Sequence, residues 1–192
     1  MLEPKRLFEH GNDQFNLGDY HKAIDFYTQA IELKSSYVLA YLNRGNAWFQ
    51  LSCYETALLD YDQAIALVPN HPQPYYNRAK VYRKLNDMIA ALEDYNKLLT
   101  LNPQYADAYV NRGNIYTTQK QYQEAIADYS QAITLYPDYA EAYHNRGLAK
   151  FHLGLEQEAL EDCKQAISVK KQRDQKPYTL LSTQRKKQGL LF

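Results

Sequence analysis

The tripeptides Asn43-Arg44-Gly45, Asn77-Arg78-Ala79, Asn111-Arg112-Gly113 and Asn145-Arg146-Gly147 recur at intervals of 34 residues. A period of that length selects stacked helical hairpins over a conventional globular core. A tyrosine stands three residues before each arginine (Tyr41, Tyr75, Tyr109, Tyr143) and an alanine thirteen after it (Ala57, Ala91, Ala125, Ala159). Gly11 and Ala23 mark an earlier, more divergent copy. The repeats therefore span 4–37, 38–71, 72–105, 106–139 and 140–173, and repeat positions 1 to 34 refer to this register. A single hairpin cannot bury its apolar face without a neighbour, so residues 1–192 are predicted to form one all-α domain.

Within each repeat, two amphipathic segments predict helix A over positions 1 to 14 and helix B over 18 to 31. The turn residue between them is Gly18, Ser52, Asn86, Lys120 or Gly154. Glycine and asparagine suit the left-handed conformation that ends a helix, and Asp19 and Asp87 cap the next one; Lys120 is the least suited. Small residues recur at positions 8, 20 and 27, and most of the 19 tyrosines fall at positions 4, 11, 17 and 24, a phase that predicts core packing rather than a cofactor box. Pro69, Pro103 and Pro137 close three repeats. Repeat five carries Lys171 instead, so its helix B should run on to Pro177, where a further capping helix of about 177–188 is predicted.

Lysine plus arginine equals aspartate plus glutamate, 22 each, so no global charge steers the chain to nucleic acid or to an anionic membrane. No run approaches the roughly 18 apolar residues of a spanning helix. With no apolar leader after Met1 and two cysteines too far apart along the stack to bridge, the chain is expected to be cytoplasmic.

Small residues at positions 8, 20 and 27, aromatics at 4, 11, 17 and 24, proline at 32 and the 34-residue period make residues 4–173 resemble the tetratricopeptide repeat family. The Asn-Arg-Gly motif resembles that of its bacterial, especially cyanobacterial, members. The resemblance implies a right-handed superhelix of five helical hairpins whose A helices line a concave groove that binds peptides or proteins. Where the family commonly has Trp at position 4 and an apolar residue at 7, this chain has Tyr or Leu and Arg. One subclass grips a C-terminal carboxylate with a five-residue clamp. Here Asn12 and Asn43 match it, whereas Phe8, Gln73 and Asn77 replace its cations, which argues against that ligand.

The arginines demand partners, because a half-buried guanidinium without one is costly. Repeats two to five place Asp60, Asp94, Asp128 and Asp162 at position 23, while repeat one lacks both partners, having His10 and Phe26. This joint presence predicts the pairs Arg44–Asp60, Arg78–Asp94, Arg112–Asp128 and Arg146–Asp162 as structural ion pairs.

The face of helix A implied to line the groove carries Phe8, Phe15, Leu42 and Phe49 in repeats one and two, and Tyr76, Lys80, Arg83 and Lys84 in repeat three. Asn12, Asn43, Asn46, Asn77, Asn111, Asn114 and Asn145 run through it as a ladder with both donor and acceptor groups, suited to the main chain of a bound peptide; the alternative is that they satisfy neighbouring helices. No nucleotide loop, zincin motif or nucleophile elbow is present, so no catalytic residue, metal site or cofactor is predicted. His144 and His152 read as polar surface.

The predicted function is a non-catalytic adaptor that holds a segment of a partner protein. Self-assembly into homo-oligomers is the alternative. Single-stranded RNA ranks below both, since zero net charge and Asp107 and Glu141 on the same face oppose it.

Overall fold

A computed structural model of the protein describes residues 3–174. All regular elements among them are helices, and they fall into two compact units, the first ending at Asn102 and the second beginning at Pro103. The first unit holds three hairpins: α1 (Pro4–Asn16) with α2 (Tyr20–Leu33), α3 (Val38–Gln50) with α4 (Tyr54–Leu67), and α5 (Pro72–Lys84) with α6 (Met88–Leu101). The second holds α7 (Ala106–Thr118) with α8 (Tyr122–Leu135) and α9 (Ala140–His152) with α10 (Glu156–Asp174). The expected C-terminal helix at about 177–188 lies outside the described residues.

The hairpin turns follow from one backbone conformation. Gly18, Ser52, Asn86, Lys120 and Gly154 all adopt positive φ, from 60° to 81°, so Lys120 accepts a geometry that its side chain disfavours. Asp19 and Asp87 accept from the backbone N–H of Lys22 and Ala90, satisfying donors that a helix start leaves open. Pro69, Pro103 and Pro137 follow the ends of α4, α6 and α8. Without such a proline, α10 continues to Asp174, a run of 19 residues.

Packing inside the first four hairpins depends on the tyrosine at position 24, which is Cys163 in the fifth. Tyr27, Tyr61, Tyr95 and Tyr129 are all fully buried, and three of their rings lie against a glycine of the partner helix. A Cβ at Gly11, Gly45 or Gly113 would stand only 2.5, 2.7 or 2.8 Å from the facing ring, so glycine is what lets the two helices approach. Ala79 takes the glycine's place in repeat three, where the Tyr95 ring packs edge-on to Tyr76 with centroids 6.2 Å apart. Among the described residues no helix is long and apolar enough to cross a membrane.

Candidate functional site

Asparagines recur on the A helices at position 9 (Asn12, Asn46, Asn114) and position 6 (Asn43, Asn77, Asn111, Asn145), and the fold uses most of them as a relay. In the first unit, Asn12 Oδ1 accepts from the Tyr27 hydroxyl and from Asn43 Nδ2 of the following repeat, both at 2.8 Å. Asn46 Oδ1 likewise accepts from Tyr61 at 2.8 Å and from Asn77 Nδ2 at 3.0 Å. In the second unit, Asn114 Oδ1 receives Tyr129 at 2.8 Å and Asn145 Nδ2 at 2.9 Å. Position 9 thus accepts two bonds and position 6 of the next repeat donates one. Asn111 instead donates to the Asp107 carbonyl at 2.8 Å.

The tyrosine hydroxyls are the part of this network that sequence reasoning missed. Read as core by their spacing, they could have been flagged by chemistry: a buried Tyr rather than Phe at position 24 needs a polar partner. Burial pushes the Tyr27 hydroxyl pKa up to about 12, against a smaller opposing effect of Asn43, so it remains a donor at neutral pH.

Repeat three departs from the relay. Its position 9 is Lys80, which has no acceptor to offer. The Tyr95 hydroxyl is buried and has no hydrogen-bond partner, a state that costs about 1–3 kcal/mol. Burial raises its pKa, and the charge of Arg83 is the largest influence in the opposite direction. The Lys80 ammonium lies 5.2 Å from the Phe49 ring centroid and 5.6 Å from that of Tyr76.

Two recesses open on this face of the first unit. One, of about 300 Å³, is lined by Asn12, Phe15, Asn16, Tyr27, Asn43 and Asn46. The other, of about 260 Å³, is lined by Phe15, Asn46, Phe49, Gln50, Tyr61, Gln73, Tyr76, Asn77 and Lys80. Phe15 and Asn46 belong to both, so the two are adjacent.

Several expected groove residues take other places. Leu42 is a correction: it is 3% exposed and packs with Ala57, Tyr61, Ala64 and Val81 of the neighbouring helices. Phe8 is half-buried against Tyr27 and Tyr37 rather than open. Phe15 and Phe49 are half-buried too, each with one ring against a tyrosine, but both still line a recess. Arg83 and Lys84 stand in the last turn of α5 and line neither recess.

The four arginines form bidentate pairs, two in each unit. Nη2 and Nε of Arg44 donate to Asp60 at 2.7 and 2.9 Å. Arg78 to Asp94 and Arg112 to Asp128 measure 2.6 and 2.8 Å, and Arg146 to Asp162 2.6 and 2.9 Å. The remaining nitrogen, Nη1, reaches back to the preceding repeat: to Thr28 Oγ1 from Arg44, to Asp62 from Arg78 and to Ser130 Oγ from Arg146. Each such arginine therefore joins helices as well as neutralising a buried aspartate.

Burial pushes the carboxyls of Asp60, Asp94 and Asp128 above the usual range, against the pull of their arginines. Burial acts in the same sense at Asp162. There, Arg146 together with Lys150, whose Nζ is 3.0 Å away, outweighs it and holds the carboxyl below that range.

Family models described as TPR repeat match residues 11–52, 45–86, 79–119 and 113–154, and one described as tetratricopeptide repeat matches 140–173. No curated protein matches the chain in sequence. Among solved structures, MamA superposes with a TM-score of 0.79 at 23% identity, over 89% of this chain and 93% of that one. A MamA fragment from Desulfovibrio magneticus RS-1 gives 0.80 at 20% identity, over 91% and 97%. YrrB, described as a TPR protein with an unusual peptide-binding site, gives 0.70 at 23% identity, over 94% and 90%. At these identities the likeness is one of fold.

Proposed function

The chain belongs to the tetratricopeptide repeat family, and from that premise we propose that it is a non-catalytic protein-interaction scaffold holding an extended polypeptide segment on the A-helix face of its first unit. The observation that carries this reading is the set of amide edges the relay leaves at the first recess. Asn12 and Asn46 spend their oxygens on tyrosine and asparagine donors, which leaves their Nδ2 groups for a main-chain carbonyl. Asn43 spends its Nδ2, which leaves Oδ1 for a main-chain N–H. Donors and acceptors whose orientation is already fixed lose little entropy on binding and are indifferent to peptide sequence. Phe15, between the recesses, supplies an apolar wall.

The peptide-binding description attached to the structurally similar YrrB supports the same reading. It is tested by panning a random 12-residue peptide library on the protein and measuring an enriched peptide by calorimetry. Phe15→Ala with Phe49→Ala should weaken binding at least tenfold at both low and high salt, since burial of apolar surface is not screened. Undiminished binding by this variant, with its helical circular dichroism intact, removes the site from the first unit.

A second reading is self-assembly, favoured by the exposure of Phe151, Leu160 and Ile167 in the last hairpin. Light scattering over a dilution series separates the two: a mass that falls on dilution supports assembly.

A further inference from the structure

Within the reading just given, we infer that the second recess selects an acidic side chain: the bound segment places an Asp or Glu carboxylate on Lys80 Nζ, between the rings of Phe49 and Tyr76, with apolar residues beside it.

Three observations lead there. Among the described residues lining the two recesses, Lys80 is the only charged one. A segment seated along both would meet uncharged amides, aromatic walls and one cation. That cation is half-buried, 5.2 and 5.6 Å from two ring centroids, and an ammonium stripped of part of its water by aromatic faces pairs more strongly with an anion than one on an open surface. Finally, the lysine replaces the residue that would have completed the relay. At the same position Asn12, Asn46 and Asn114 accept a tyrosine hydroxyl, whereas in repeat three the Tyr95 hydroxyl is buried without a partner. The repeat thus forgoes a bond its neighbours make, and what it has in exchange at the recess is a positive charge.

The chemistry of the ligand follows from the count of donors. One ammonium without an arginine fork suits a singly charged carboxylate rather than a phosphate dianion. With no second cation along the recesses, a nucleic-acid backbone would have nothing to follow. Asn46, whose Nδ2 the relay leaves over, lines the same recess as Lys80, so a main chain held by it brings a side chain to the lysine.

The test pans the random 12-residue library on the full chain. The selected peptide is then synthesised with its acidic residue and with the matching amide, and both are measured against wild type, K80N and K80E. Wild type should enrich peptides with Asp or Glu at one fixed position beside apolar residues. The acidic peptide should bind K80N about tenfold more weakly, the scale of one charge-assisted hydrogen bond, and K80E more weakly still. The amide peptide should bind wild type and K80N alike.

Enrichment without an acidic position, or equal binding of the acidic peptide to wild type and K80N, overturns the inference and leaves peptide binding standing. Full binding by the F15A/F49A variant, or no enrichment on wild type, overturns the peptide-binding site itself. Thermal melting of K80N and K80E by circular dichroism separates loss of affinity from loss of fold.

Discussion

At the scale of single residues, one position decides how a buried tyrosine is satisfied. Tyr61 donates to Asn46 at 2.8 Å, while Tyr95 sits in the equivalent place without a partner. Tyr61→Phe should therefore cost about 1 kcal/mol, and Tyr95→Phe should be neutral or stabilising, because it removes an unsatisfied buried group. Urea denaturation of the two variants checks the contrast, and equal losses would refute it. The ion pairs differ among themselves as well. Removing one member of a buried pair costs about 3–5 kcal/mol. Asp60→Ala should approach that range, since Arg44 then keeps only uncharged partners among the described residues, the Thr28 hydroxyl and the Tyr41 ring. Asp94→Ala should cost less, because Arg78 keeps Asp62 at 2.6 Å. The carboxyls should also titrate in an order set by their neighbours. Asp162, held down by two cations, should lose its proton at the lowest pH of the four by carbon NMR. Its folded-state pKa lies below its ordinary value of 3.8, so the stability it contributes is present above that value and is lost as pH falls through the folded pKa. Asp60, Asp94 and Asp128, raised by burial, bind protons in the folded state first, so acidification through their window adds stability.

At the scale of elements, each hairpin rests on a close approach and a left-handed turn. Gly45→Ala would place a Cβ 2.7 Å from the Tyr61 ring, which a packed core cannot absorb without movement. It should destabilise by about 1–3 kcal/mol, the usual cost of overpacking. Lys120, at φ 60°, is the opposite case. Lys120→Gly should raise stability by about 1 kcal/mol by relieving the left-handed strain, measured by thermal melting; an unchanged melting temperature would mean that the turn carries no such strain. The same turns show why the two-helix repeat was legible from sequence. The tyrosine phase, the prolines after α4, α6 and α8 and the missing proline that lets α10 run on are all local signals.

At the scale of the molecule, the first and last described repeats bury the same positions unequally. Ile24 and Ile31 of the first repeat are 7% and 9% exposed, whereas Leu160 and Ile167, at the same repeat positions in the last, are 50% and 57% exposed. A solenoid buries these positions by stacking the next repeat, and among the described residues no repeat follows the last hairpin. Serine at Ile24 and Ile31 should cost several kcal/mol, from lost burial and the cavities left behind. Serine at Leu160 and Ile167 should cost less than about 1 kcal/mol. A large loss at the second pair in chemical denaturation would mean that this face is covered in the full chain.

The sequence alone determined what depends on periodicity. The 34-residue repeat, the helix pairs and the coupled presence of arginine and aspartate were all readable, because residue spacing along a helix sets its faces and a buried charge demands a partner. It did not determine which groove residues face outward. Leu42 was read as open and lies in the core, since a turn of about 100° per residue leaves positions 5 and 6 on adjoining faces that only the neighbouring helices distinguish. Nor did the sequence reveal how the asparagines are used. Their amides divide between satisfying a tyrosine in the same repeat and an asparagine in the next, a choice made by distances across helices 15 and 31 residues apart in the chain. Only the tertiary structure sets those distances, and with them the amide edges left for a partner.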